Sequence, residues 1–348
     1  MPNTEVDVTV LDLTDPRPTL ADVARAAGVS SATASRVING FSCVRPETRR
    51  QVEDAIVDLG YVRQRASRTN DRCRTGSIAV VVCEETLRLF SDPFFGRVLW
   101  GASQVLVPAG YQTVLLTAQS AKEAQSAVRY VRSGHVDGAV LVSTHARYSM
   151  ALERVTVPLA CAGRPAGEDV GTYSYVDADN RGGAERAVRY LLESGRRRIA
   201  TIAGPKDMSP GVDRLAGYQT VLMADGTFDP GLVTYGDFGQ SSGEHMTQRL
   251  LERRPDLDAI FVASDLMAVG TLRALRRSGR RVPDDVAVIG FDNAPLARST
   301  EPPLTTVNQP IEAIGAQTAR ELLELIAGNS AEGSHMVLET ELVVRDSA

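Results

Sequence analysis

The chain has 348 residues, of which 43% are hydrophobic and 23% charged, and its net charge is −5. Such a length suggests two or three domains, and such a composition supplies real cores and excludes a disordered tail, a collagen-like fibre and a disulfide scaffold. Four scattered cysteines (Cys43, Cys73, Cys83, Cys161) without a C-x-x-C pair argue against a disulfide framework or zinc knuckle, and no apolar run approaches the roughly 18 residues of a membrane span.

The start, MPNTEVDVTVLDLTD, is acidic and has no basic n-region, so a disordered leader over residues 1–17 is expected rather than a signal peptide. A cytoplasmic location with reduced thiols follows. Residues 17–75 then carry eleven arginines against six acids, while the rest of the chain is net acidic. A basic head on an acidic body points to a polyanion as the partner of the head.

Residues 18–61 read as three short helices. Thr19 with Asp22 has the spacing of a capping box, and Leu20, Val23, Ala24 and Ala27 recur at helical spacing up to Gly28. Ser30 caps a second helix from Ser31, with Ala34, Val37 and Ile38 as its apolar face. A third helix opens at Pro46 and buries Val52, Ile56 and Leu59 before Gly60. Two helices joined by a short Gly-containing turn, with a supporting third, form the helix-turn-helix pattern. The second helix begins with small residues, Ser31, Ala32 and Thr33, and shows Ser35 and Arg36, a surface suited to the major groove.

Four ordered motifs in this stretch are D-V-A-x-x-A-G-V-S (Asp22–Ser30), T-x-S-R-V-x-N-G (Thr33–Gly40), P-E-T-R (Pro46–Arg49) and L-G-Y (Leu59–Tyr61). Together they resemble the DNA-binding head of the lac-repressor/gal-repressor family of bacterial transcription regulators. The resemblance implies that Ser31, Ala32 and Arg36 face base edges, and that Thr33, Ser35 and Asn39 hold phosphates. The family's hinge usually follows as P-N-x-x-A-R-x-L, whose Leu wedges into the minor groove. Here, in a hinge over 62–75, Arg68 matches but Asn70 stands at the wedge position. Asn unstacks a base step poorly, which questions the central kink; five arginines from Arg63 to Arg74 offer phosphate contacts instead.

From residue 76 onward, short aliphatic runs alternate with amphipathic stretches. The runs are Ile78–Val82, Thr113–Leu116, Ala139–Val142, Leu159–Ala162, Ile199–Ala203, Ala259–Ala263 and Val286–Ile289, with a last strand over Val337–Val344. The helical stretches include Phe94–Pro108, Gly182–Glu193, Leu266–Arg277 and Ile311–Ile326. The alternation predicts an α/β fold with doubly wound parallel sheets. About 270 residues exceed one such sheet, so two lobes are expected, 76–178 with 309–335 and 179–308 with 336–348. The motifs D-P-F-F (Asp92–Phe95), D-N (Asp179–Asn180), R-x-x-G-Y (Arg214–Tyr218), A-S-D-x-M-A-x-G (Ala263–Gly270), V-I-G-F-D (Val288–Asp292) and P-P-L-T-T-V-x-Q (Pro302–Gln309) extend the resemblance to the family's effector domain. That domain has the fold of periplasmic sugar-binding proteins.

Ligands in open α/β sheets bind beyond the carboxyl ends of strands. Arg164, Asp179, Ser264, Asp265 and Asp292 follow strand-like runs, and Phe94 and Phe291 offer aromatic faces to a sugar ring. The resemblance singles out Arg214, Asp265 and Asp292 as effector contacts. Each has a plainer reading as a helix cap or inter-lobe ion pair, Asp265 as the cap of the helix from Leu266.

Gly239–Gly243 fits G-x-S-x-G, but the preceding segment is short and polar and His245 is only four residues on, so a serine N-cap is expected. The four histidines lack metal-ligand spacing, no phosphate loop is present, and neither metal nor cofactor is expected. Trp100 reads as core. The expected protein is a non-enzymatic regulator, a repressor that binds a pseudo-palindromic operator as a homodimer under control of a sugar effector. No leucine-rich heptad segment follows Val344, which favours a dimer over a tetramer. A solute-binding protein and an α/β hydrolase using Ser241 are the rivals; the basic head disfavours the first.

Overall fold

A computed structural model describes residues 19–38, 44–59, 74–146, 157–167, 173–330 and 333–348. The chain divides into two compact units at residues 72/73.

In the first unit, α1 (Leu20–Ala26), α2 (Ser31–Ile38) and α3 (Pro46–Asp58) are the expected helices. The capping box forms: the Thr19 amide donates to Asp22 at 2.8 Å and the Asp22 amide to the Thr19 hydroxyl at 3.4 Å. Gly28 ends the turn at φ +65°, where a side chain would be strained. Ser30 Oγ then accepts from the Thr33 amide at 3.2 Å, capping α2. Val23, Ala24, Ala34, Val37, Val52 and Ala55 form the core, with Ile56 partly buried. Leu59 is exposed instead, because α3 ends at Asp58 and turns its inner face through Ala55.

The second unit has two lobes. The first holds β1 (Ser77–Val82), α4 (Thr86–Ser91), α5 (Pro93–Leu106), β2 (Gln112–Thr117), α6 (Ala121–Arg132), β3 (Gly138–Val142), β4 (Leu159–Ala162) and β5 (Ser174–Ala178). The chain then crosses to α7 (Asn180–Glu193), β6 (Ile199–Ala203), α8 (Ser209–Asp225), β7 (Val233–Tyr235), α9 (Gln240–Arg253), β8 (Ala259–Val262), α10 (Asp265–Arg277), β9 (Ala287–Phe291) and β10 (Thr305–Asn308). It returns through α11 (Ile311–Ala327) and β11 (His335–Leu338), and ends with β12 (Glu341–Val343) in the second lobe. The last expected strand is thus two strands in different sheets, and the final crossing falls after Leu338 rather than at 335/336.

The first sheet has the order β11-β5-β4-β3-β1-β2, and all its pairs are parallel. The second has the order β12-β10-β9-β8-β6-β7, with only β12 antiparallel. Successive residues of β1 feed opposite faces: Ile78, Val80 and Val82 join one core and Ala79 and Val81 the other. Burial on both faces explains why these strands read as unbroken aliphatic runs. In a doubly wound sheet the carboxyl strand ends share one rim, and here the two rims face one another across the three crossings.

Candidate functional site

The first candidate surface is the start of α2. Ser31, Ala32 and Arg36 are exposed, while Thr33 and Ser35 are half-buried beside the core residues Ala34 and Val37. The Thr33 hydroxyl lies 2.9 Å from Ser30 Oγ, so it also serves the cap. The helix N-terminus presents small residues, with one guanidinium a turn later. Helix N-termini favour phosphate, and an exposed Arg can read guanine bidentately. Asn39, Arg68 and Asn70 lie outside the described residues, as does most of the expected hinge.

The second candidate is a cavity between the lobes of the body, of about 720 Å³ when the space open to solvent at its mouth is included. Five of the eight expected effector residues line it: Phe94, Arg164, Arg214, Ser264 and Asp292. Phe94 lies on the first turn of α5, whose cap, Asp92, accepts from the Phe94 amide at 3.0 Å. Ser264 caps α10, accepting from the Met267 amide at 3.3 Å and donating to the Phe238 carbonyl at 3.1 Å.

Arg214 is 4% exposed. Its Nε donates to Asn180 Oδ1 at 2.9 Å and its Nη1 to the Ala263 carbonyl at 2.6 Å, and Nη1 lies 3.4 Å from Asp292 Oδ1. The guanidinium also sits 3.7 Å from the Phe291 ring centre. Burial pushes the Asp292 carboxyl up to about 6, against the pull of Arg214 and of the Gln309 amide that donates to it at 2.5 Å. Burial likewise raises Asp92 and Asp177.

Arg164 is both a lining residue and an inter-lobe tie. Its Nη2 reaches both oxygens of Asp213 on α8, at 2.7 and 2.6 Å. Three expected residues do not reach the cavity. Asp179 caps α7 through the Gly182 amide at 2.8 Å and pairs with Arg186 at 3.3 Å. Asp265 is buried but is not the cap of α10, a role taken by Ser264. Its oxygens accept from the Ala294 amide at 2.7 Å and the Thr306 hydroxyl at 2.6 Å, tying the loop after β9 and strand β10 to α10. Phe291 is wholly buried beneath Arg214.

Sequence reasoning missed Arg88, Asp92, Asp177, Asn180, Phe238 and Gln309. Asp92, Asn180 and Gln309 sit inside motifs already quoted, so the signal was present. Backbone strain marks the site independently: Ser143 (φ +58°), Phe238 (φ +68°) and Asp292 (φ +114°) are non-glycine residues in the left-handed half of conformational space, and all three line the cavity. Such strain collects at ligand sites.

Two other expectations fail. Ser241 is exposed on α9 and does not line the cavity, and the cap is Gly239 without a side-chain bond. Ser242 instead accepts from the Asp237 amide at 3.1 Å. Trp100 is 58% exposed on α5 rather than core. No helix among the described residues is long and apolar enough to cross a membrane.

Residues 19–64 match the profile described as bacterial regulatory proteins, lacI family, and residues 188–348 match a periplasmic binding protein-like domain. The chain is 48% identical to the HTH-type transcriptional regulator CelR of Thermobifida fusca, over 95% of this chain and 98% of that protein. A solved CelR–cellobiose complex is similar with a TM-score of 0.77 at 47% identity, covering 95% of this chain and all of that one. The lac repressor dimer bound to operator and the anti-inducer ONPF is similar with a TM-score of 0.74 at 27% identity, covering 95% and 99%. These relatives regulate transcription, and neither the hydrolase nor the solute-binding reading draws support from them. The chain belongs to the lacI family of bacterial regulatory proteins.

Proposed function

We propose that the chain is a transcriptional repressor, acting in the cytoplasm, that binds a pseudo-palindromic operator as a homodimer. A neutral β-linked glucose oligosaccharide of the cellobiose class sets its affinity for DNA. The first unit supplies base readout through Ser31, Ala32 and Arg36, and phosphate contacts through Thr33, Ser35, Asn39 and Arg68, with Asn70 at the minor groove. The cavity of the second takes the effector.

One observation carries the effector class. Each arginine among the described lining residues already faces a protein carboxylate: Arg88 faces Glu84, Arg164 faces Asp213 and Arg214 faces Asp292. A phosphorylated or carboxylated ligand would compete with those partners, and it would meet Asp92 and Asp292. A polyol fits better, because its hydroxyls donate to the carboxylates and its ring packs on Phe94 and Phe238. The cellobiose complex of the CelR relative agrees. For the dimer, Leu87 and Phe90 on α4 and Trp100 on α5 are 79%, 75% and 58% exposed, an apolar load that water disfavours and a second copy would cover.

A thermal-shift panel tests the effector reading. Cellobiose at about 100 times its Kd should stabilise by about 2.7 kcal/mol, with glucose 6-phosphate inert. A shift with the phosphate and none with any neutral disaccharide would overturn it.

A further inference from the structure

The loop after β3 carries His145 into the seam between the lobes, where its imidazole is buried. Nδ1 lies 2.9 Å from Asp207 Oδ2, on the loop after β6 of the second lobe. Nε2 lies 3.3 Å from Glu84 Oε1, just past β1 of the first. The neighbouring Ala146 amide donates to the Asp207 carbonyl at 2.9 Å, so backbone and side chain cross the seam together. A neutral imidazole has one N–H and one lone pair, and only the imidazolium donates from both nitrogens. With a carboxylate at each nitrogen, the neutral ring leaves one contact without a proton.

The same oxygen of Glu84 also accepts from Ser143 at 2.7 Å and from Arg88 at 2.8 Å. Arg88 and Ser143 line the effector cavity. Lys206, next to Asp207, turns its ammonium to the Tyr235 ring at 4.1 Å. Among the described residues, the charged groups at the imidazole are Glu84 of the first lobe, with Arg88 bound to the same Glu84 oxygen, and Asp207 of the second.

We propose that His145 is a positioning residue that latches the two lobes when protonated, so that effector binding at the adjoining cavity draws a proton from solvent. The inference rests on the reading of that cavity as the effector site. Burial opposes charge on the ring, but the hydrogen bonds to Glu84 and Asp207 outweigh it and hold the pKa above its ordinary value. Opening the lobes removes Asp207 and leaves Glu84, so the open form binds the proton less tightly. Below the open-form pKa both forms are protonated and the latch is fully present. As pH rises through the closed-form pKa the proton leaves and the latch is lost. Effector affinity then falls with rising pH, by at most about tenfold per unit for one linked proton.

The test is calorimetric titration of cellobiose into the full chain between about pH 6 and pH 8, in buffers of different ionisation enthalpy. The wild type should lose affinity by about 3- to 10-fold across that range and take up a fraction of a proton per ligand. H145Q and D207N should be flat within about twofold. A second readout needs no ligand: hydrogen exchange at the Ala146 amide, corrected for intrinsic rates, reports closure of the seam. The wild type at about pH 6 should be the most protected, and H145Q at about pH 6 should match the wild type at about pH 8. Equal Ala146 protection in both proteins at the lower pH, or a pH dependence retained in H145Q, overturns the latch. Failure of cellobiose to bind the wild type at any pH refutes the effector reading instead, and the exchange measurement still decides the latch.

Discussion

Replacing Arg214 by Met removes the cation that organises the cavity floor and leaves its shape nearly intact. The change orphans the Asn180 Oδ1 and Ala263 carbonyl contacts, at 2.9 and 2.6 Å, and leaves Asp292 without its counter-charge at 3.4 Å. Breaking a buried pair by removing one partner costs about 3–5 kcal/mol, and the stack on Phe291 at 3.7 Å adds about 1 kcal/mol. Burial has already pushed Asp292 up to about 6, and without Arg214 it rises further. A carboxyl with a raised folded-state pKa stabilises fully below its unfolded value and loses that stability as pH rises through the folded one. The penalty of R214M is therefore largest above neutrality and shrinks by about half near pH 5.5, where Asp292 is protonated in both proteins. For a unit of this size each kcal/mol moves Tm by about 2–4 °C. Thermal unfolding followed by circular dichroism should show a fall of about 8–24 °C at pH 7.5 and roughly half of that at pH 5.5. An equal fall at both pH values would refute the assignment of Asp292 as the stranded charge, and a fall of less than about 3 °C would refute the buried pair.

Arg36→Ala should cost about 1–3 kcal/mol on specific operator and far less on random duplex, read by fluorescence anisotropy at fixed salt. Gly270→Ala tests the α9–α10 packing: an added Cβ would lie 2.0 Å from the Gln240 carbonyl oxygen and 2.7 Å from the Glu244 amide nitrogen. That overlap should cost about 1–3 kcal/mol or more, and an unchanged Tm would mean the helices are not so close. Phe90→Glu places a charge in the proposed dimer face and should shift sedimentation toward monomer; an undisturbed dimer would place the interface elsewhere.

The head was legible because its signals are local. Thr19, Asp22, Gly28 and Ser30 act within one turn of themselves, so capping chemistry can be read from spacing. In the body, β1, β3, β4, β6, β8 and β9 were legible because burial on both faces demands aliphatic runs. The strands β5 and β10 were hidden by polar residues whose partners are far away in the chain. Ser174 accepts from the Ser334 amide, and Thr305 donates to the Arg345 carbonyl. β7 has only three residues, Val233–Tyr235, too short to show a pattern. At the cavity, Arg214 and Asp292 stand in legible motifs, and of the pair Asp179–Asn180 it is Asn180 that lines the cavity. Asp179 is spent on the helix cap while Asn180 meets Arg214. Phe238 owes its place to a left-handed backbone, which no sequence pattern announced.

In the proposed function one chain reads DNA with α2 and senses a neutral sugar between its lobes, the two events being coupled. Its most direct test is the affinity of the full chain for an operator selected from random duplexes by the protein itself, with and without saturating cellobiose. The expected dissociation constant is about 10⁻⁸ M or tighter in one of the two states, with a change of about 5- to 150-fold between them. Cellobiose that binds yet leaves operator affinity unchanged would contradict it.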